Sequence, residues 1–323
     1  GMPDLNIDNK ADLFLRDRMQ RFQTPNRFSI LRILTMLLAI TTASCASTNG
    51  MYASSEANFL RSIAELAPIE MHTGEKLNVV ATTNIAFDTL QNVGGDLIDL
   101  EALIPRGADP HAYEPSPGDL RKLVQADLVF INGIDLEEPL YPTFAEIAAD
   151  TAIVSLSEGL DLQSFGDPEH EETEAQGETH KHTGDDPHVW LDPVNVQAWV
   201  RNAADALDLV DPDHADLYQS NAVAYTRELE NLHRWIVQHV ENIPADRRKL
   251  VTDHRALGYF ALRYDFELVA AVIPAYSTAS EPSARELSEL VDTIQEESVQ
   301  AIFVGTNVNT TLAERIAQDT GIQ

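Results

Sequence analysis

Three histidines stand in settings that suit metal ligation. His111 lies in Asp109-Pro110-His111-Ala112-Tyr113-Glu114-Pro115, His188 in Asp186-Pro187-His188-Val189-Trp190, and His254 in Thr252-Asp253-His254-Arg255. Neutral imidazole suits zinc, copper and nickel better than it suits manganese. The prolines before His111 and His188 fix φ and stiffen the approach of each ligand. Asp109, Asp186 and Asp253 precede the three histidines by one or two residues. A carboxylate on the second ring nitrogen would fix the tautomer of a ligating histidine. Taken singly, a histidine of this kind is more often a hydrogen-bonded structural residue. The spacing alone leaves both readings open. The single cysteine, Cys45, excludes a cysteine-based zinc site and an internal disulfide.

The elements needed to position these residues follow from the hydrophobic pattern. Short apolar runs at Leu77–Ala81, Leu97–Ile104, Asp127–Ile131 and Ala152–Leu156 read as strands. Helical patterns at Ile85–Val93, Pro117–Val124 and Tyr141–Ala149 fall between them. The alternation resumes with strands at Lys249–Val251, Phe266–Val272 and Ala301–Val304, and helices at Ala256–Leu262, Ser283–Gln295 and Thr310–Asp319. Such alternation predicts an α/β fold built on parallel sheets. Ligands in such sheets bind beyond the carboxyl ends of strands, where the pattern puts His111 and His254.

Between the two blocks, Asp213–Glu241 carries Tyr218, Ala222, Tyr225, Leu229, Leu232 and Ile236 at spacings of three and four. This predicts one helix of roughly 45 Å, a rigid strut between two lobes. The expected organisation is an N-terminal extension and signal over 1–45, a tether over 46–76, a first lobe over 77–210, a linking helix over 211–243 and a second lobe over 248–323. The second lobe reads as incomplete at Gln323. Residues 163–187 interrupt the first lobe with an acidic segment almost free of apolar residues, expected to be a solvated loop. Its His170, His180 and His182 sit among glutamates, which suits weak auxiliary metal capture or an incidental acidic linker equally well. His72, His214, His233 and His239 read as structural.

Composition narrows the function classes. The chain has 22 Lys+Arg against 52 Asp+Glu, a formal net charge of −30 over 323 residues. Such a surface disfavours nucleic acid and anionic lipid headgroups and gathers cations. Arg21, Arg27 and Arg32 precede an apolar run from Ile33 to Ile40 and the small residues before Cys45. This is a secretory signal, too short to span a membrane, and Met19 just ahead of it reads as an alternative start. The Ala43-Ser44-Cys45 sequence is similar to a bacterial lipoprotein processing site, although Thr42 stands where leucine is usual.

From about Leu77 onward the chain resembles the solute-binding proteins of zinc and manganese ABC transporters. The residues carrying the resemblance are PRGADPHAYEPSPGDLRKLVQADLVFINGIDLE, DPHVWLDPVNV, TDHRALGYFALRYDF and IPAYSTASEPSARELSELVDTIQ. The resemblance implies two α/β lobes joined by one long helix, with metal ligands at His111, His188 and His254. It implies an exported or lipid-anchored monomer that hands its ion, Zn2+ or alternatively Mn2+, to a membrane permease, and no enzymatic activity. The histidine at position 254, where manganese-selective relatives tend to carry glutamate, favours zinc. The family's fourth ligand, an aspartate, falls beyond Gln323. Gly305-Thr306 stands where many relatives have Glu-Ser, which implies a changed cleft lining. Two other classes remain weighable. Three histidines plus water also form a catalytic zinc set, but no HExxH pattern is present, and nothing beyond nearness in sequence supports Glu114, the nearest candidate base. An adhesin would rest on the acidic surface alone.

Overall fold

The structure is a computed structural model that describes residues 56–163, 184–306 and 308–322. Seven strands and eight α-helices are found among these residues. Strands β1 (Leu77–Ala81), β2 (Ile98–Ala102), β3 (Leu128–Ile131) and β4 (Ala152–Ser155) form one parallel sheet in the order β2-β1-β3-β4. Strands β5 (Lys249–His254), β6 (Glu267–Ile273) and β7 (Ile302–Phe303) form a second parallel sheet in the order β6-β5-β7.

The first sheet is buried on both faces, as its nearly continuous apolar strands require. Alternate residues of β1 serve different cores. Leu77, Val79 and Ala81 face one cluster, while Val80 faces the other. The first cluster takes in α1 (Asn84–Gly94), α4 (Pro193–Val210) and α5 (Ala215–Val240). The second takes in α2 (Pro117–Gln125) and α3 (Tyr141–Ile147). The second sheet packs Val251 and Val272 against Leu290 and Ile294 of α7 (Ala284–Glu296) and Ile316 of α8 (Thr311–Thr320). Helix α6 (Gly258–Tyr264) follows β5.

Local rules place several boundaries. Thr83 caps α1 by accepting the Ala86 N–H, and Ser116 and Ser283 form capping boxes with Asp119 and Glu286 at the starts of α2 and α7. The long helix α5 has 26 residues, about 39 Å at 1.5 Å per residue. It is shorter than the periodicity indicates because Pro212–His214 form a 3-10 turn before it. The chain passes along it from the first lobe to β5 in the second.

Two expectations need correction. Residues 193–210, to which the periodicity reading assigns no element, form the 18-residue helix α4. Asp192 caps it and Pro193 opens it, both ordinary start signals. Its buried face carries Val196, Trp199, Val200, Ala203, Leu207 and Val210 at helical spacings. The second correction concerns the tether over 46–76. From residue 56 onward this segment is docked: Phe59, Ile63 and Leu66 are buried in the first lobe. The Arg61 N–H donates to Ile153 O of the edge strand β4, which covers an otherwise open sheet edge. Cys45 and His170, His180 and His182 lie outside the described residues.

Candidate metal centre

His254 is the last residue of β5, so the carboxyl end of that strand delivers it to the face between the lobes. His111 sits in the 3-10 turn Pro110–Ala112 after β2. His188 opens the turn Val189–Leu191 that leads into α4. Residues separated by 77 and 66 positions thus meet. His188 Nε2 lies 3.2 Å from His111 Nε2 and 3.1 Å from His254 Nε2. One ligand atom from each of the three lies within 4.8 Å of the others. A tetrahedral ion with Zn–N bonds of about 2.0–2.1 Å has N···N edges of about 3.3 Å, so these nitrogens are spaced as one ion would require.

The surroundings leave these nitrogens free to bind. His188 Nδ1 lies 2.7 Å from Asp186 Oδ1, and His254 Nδ1 lies 2.8 Å from Asp253 Oδ1. A proton on each Nδ1 is held by its carboxylate, which turns the Nε2 lone pair toward the cluster. Asp253 Oδ2 also accepts the Gly305 N–H at 2.8 Å, which ties the loop after β7 to the base of His254. Asp109 behaves differently. It accepts the His111 backbone N–H at 3.0 Å and the Thr278 hydroxyl, so it holds the His111 loop and the second lobe rather than the imidazole.

Electrostatics agree with this geometry. Burial, then the neighbouring His188 and His254, push His111 down to about 3. Burial followed by His254 holds His188 well below its ordinary value. Both rings are therefore unprotonated at neutral pH, the form that binds a cation. Burial pushes the Asp186 carboxyl up to about 7. Its Oδ2 is buried without a partner among the described residues. Asp253 is held below the usual carboxylate range, its burial outweighed by hydrogen bonds from His254 and Gly305.

The cluster opens on a cleft of about 290 Å³ whose other walls include Trp190, Leu191, Leu257, Phe303 and Val304. Gly305 and Thr306 line it too. Helix α6 links the second lobe to the segment that carries His188. Tyr259 OH donates to Asp186 O at 3.0 Å, and Arg263 Nε donates to Asp192 Oδ2 at 2.7 Å. Tyr259, Arg263 and Thr278 lie within the segments that carry the family resemblance, but only the docking of the lobes gives them these partners. Besides lining the cleft, Gly305 adds a backbone hydrogen bond that no side-chain motif could signal.

The remaining described histidines lie apart. His214 Nδ1 is 2.7 Å from Asp211, His233 Nδ1 is 3.1 Å from the Tyr264 hydroxyl, and His239 Nδ1 is 2.7 Å from Trp235 O. Glu114, the candidate hydrolytic base, is exposed.

Residues 79–323 match the family model of the periplasmic component A of the zinc-uptake complex, ZnuA. The chain belongs to this family. Its members are extracytoplasmic substrate-binding proteins of ABC transporters, not enzymes. Among curated relatives, the manganese ABC transporter substrate-binding lipoprotein PsaA of Streptococcus anginosus is 33% identical over 256 residues, covering 77% of this chain and 79% of the relative. The manganese-binding lipoprotein MntA of Halalkalibacterium halodurans is 33% identical over 249 residues, with 77% of each covered. Among solved structures, the periplasmic zinc-binding protein TroA of Treponema pallidum superposes with a TM-score of 0.67 at 28% identity, covering 76% of this chain and 84% of TroA. The fold is that of TroA and ZnuA. No helix among the described residues is long and apolar enough to cross a membrane.

Proposed function

We propose that this receptor captures one Zn2+ ion between its lobes through His111, His188 and His254 and delivers it to a membrane permease. The observation that carries the reading is the convergence of three Nε2 atoms from two lobes, with contacts of 3.1 and 3.2 Å to the central one. Three imidazoles favour zinc over manganese by ligand softness. The manganese named for PsaA and MntA supports the alternative cargo, Mn2+, at the same site. An ion bound to His111 and His188 on one side and His254 on the other stitches the lobes together. The long α5 helix keeps closure small. Cys45 carries the lipid that anchors the chain outside the membrane, and His170, His180 and His182 raise the local metal concentration.

Calorimetric titration tests this reading. Sharing an apparent zinc-binding free energy of roughly 10–16 kcal/mol among the four ligands of a tetrahedral ion, three histidines and one water, assigns about 2.5–4 kcal/mol to each, or roughly 70- to 900-fold in Kd. His111→Ala, His188→Ala and His254→Ala should each weaken one tight zinc site by that factor. Tight zinc binding retained in all three variants would sink the proposal. Tighter Mn2+ than Zn2+ binding by the unmodified protein would decide for the alternative cargo.

A further inference from the structure

After Ile131, strand β3 enters a turn with an unusual backbone. Three consecutive residues are left-handed: Gly133 at φ 82°, Ile134 at φ 59° and Asp135 at φ 58°. Glycine adopts this conformation freely, but a β-branched isoleucine rarely does. A run of this kind persists only where its surroundings over-determine it.

Two carboxylates supply that constraint. Glu137, with no exposed surface, accepts the Thr82 hydroxyl at 2.6 Å, the Asn132 N–H at 2.8 Å and the Gly133 N–H at 3.2 Å. Glu56 accepts the Asp135 N–H at 2.9 Å and the Tyr141 hydroxyl. Ser155 Oγ donates to Asn132 O at 2.9 Å and stands 2.3 Å from where a Cβ on residue 133 would lie, so a side chain there has no room.

The turn presents one side chain toward the metal centre. Asn132, also fully buried, donates through Nδ2 to Pro187 O at 3.1 Å and to Gly133 O at 2.6 Å. Pro187 directly precedes His188, the histidine that both others approach. An unbroken series of hydrogen bonds and one peptide unit thus runs from Glu137 through Asn132 and Pro187 to His188. Ligand groups need placement to within about 0.5 Å, and burying a carboxylate is costly unless its donors are fixed.

We propose that Glu137 and Asn132 are positioning residues that set His188 for metal capture. The proposal rests on the reading of the three histidines as metal ligands. Asn132→Ala removes the link to Pro187. Glu137→Gln keeps the size but replaces an acceptor with a donor, so it cannot serve all three donors at once.

The test compares the full chain with both variants by zinc competition against a chromophoric chelator, by the visible spectrum of bound Co2+, and by the melting midpoint without metal. Each variant should bind one ion about tenfold or more weakly, the range found for residues behind metal ligands, with a shifted Co2+ spectrum. A lower midpoint with unchanged Kd and Co2+ spectrum in Asn132→Ala would overturn the proposal by showing a merely structural role. Should Glu137→Gln fail to fold, Asn132→Ala alone decides. Failure of the unmodified chain to bind zinc or Co2+ would instead overturn the reading of the histidines.

Discussion

Replacing Asp186 with asparagine should remove a proton from the metal-binding reaction. Asp186 lies behind His188, 2.7 Å from Nδ1, and burial pushes its carboxyl up to about 7. A cation on Nε2 of the same ring favours the carboxylate, so binding lowers this value and releases a proton. With a metal-free value of about 7, the protonated fraction is roughly 0.9 at pH 6, 0.5 at pH 7 and 0.1 at pH 8. The difference in protons released by the unmodified protein and by Asp186→Asn should follow those fractions. His188 and His111 add nothing to the difference, since burial keeps both rings unprotonated over this range. The sign follows: this group makes apparent affinity rise as pH increases through 7, and the variant loses that slope. Asparagine still accepts from Nδ1, so the ring orientation survives. Zinc titration by calorimetry in buffers of different ionisation enthalpy counts the protons. Equal release by both proteins at pH 6 would refute the assignment of a buried, protonated Asp186.

Three further outcomes are expected. The metal-free protein should lose stability as pH falls from about 6.5 toward 3, because unfolded His111 takes a proton that the folded ring, held at about 3, refuses; His111→Gln should flatten this loss in chelator-treated melts, and parallel pH curves would exclude it. Trp199→Ala should cost about 3–5 kcal/mol in denaturant unfolding, since Trp199 is fully buried and its Nε1 donates to Ser157 Oγ at 3.1 Å; a loss below 1 kcal/mol would mean that α4 does not anchor the core. Deleting residues 169–182 should reduce the number of weak zinc sites and leave the tight site intact, and loss of the tight site would show that the segment is part of it.

The strands and most helices were legible because each carries a simple period. Leu77–Ala81 and Ala152–Ser155 are short apolar runs between polar breaks, and the long helix shows its Tyr218–Leu229 stripe. Helix α4 carries the same kind of period, with Val196, Trp199, Val200, Ala203, Leu207 and Val210 buried along one face, although the sequence reading assigns it no element. The docking of the segment around Phe59 is not legible in the sequence. Two short 3-10 turns have no period to detect, and their burial depends on a sheet edge formed much later in the chain.

The metal centre divides in the same way. Residue type and local stiffness lay in the sequence: three imidazoles, two of them behind prolines, each with an aspartate one or two residues before it. From those alone, the aspartates at 109, 186 and 253 were equivalent. The fold separates them, sending Asp186 and Asp253 to ring nitrogens and Asp109 to a backbone N–H and Thr278. Tyr259, Arg263 and the Gly305 N–H gain their roles only when the second lobe meets the first. Local chemistry is written residue by residue, because φ restriction and ligand softness belong to single side chains. Convergence is not, because bringing His111, His188 and His254 within reach of one ion requires two sheets and a helix to fix the distance between positions far apart in the chain.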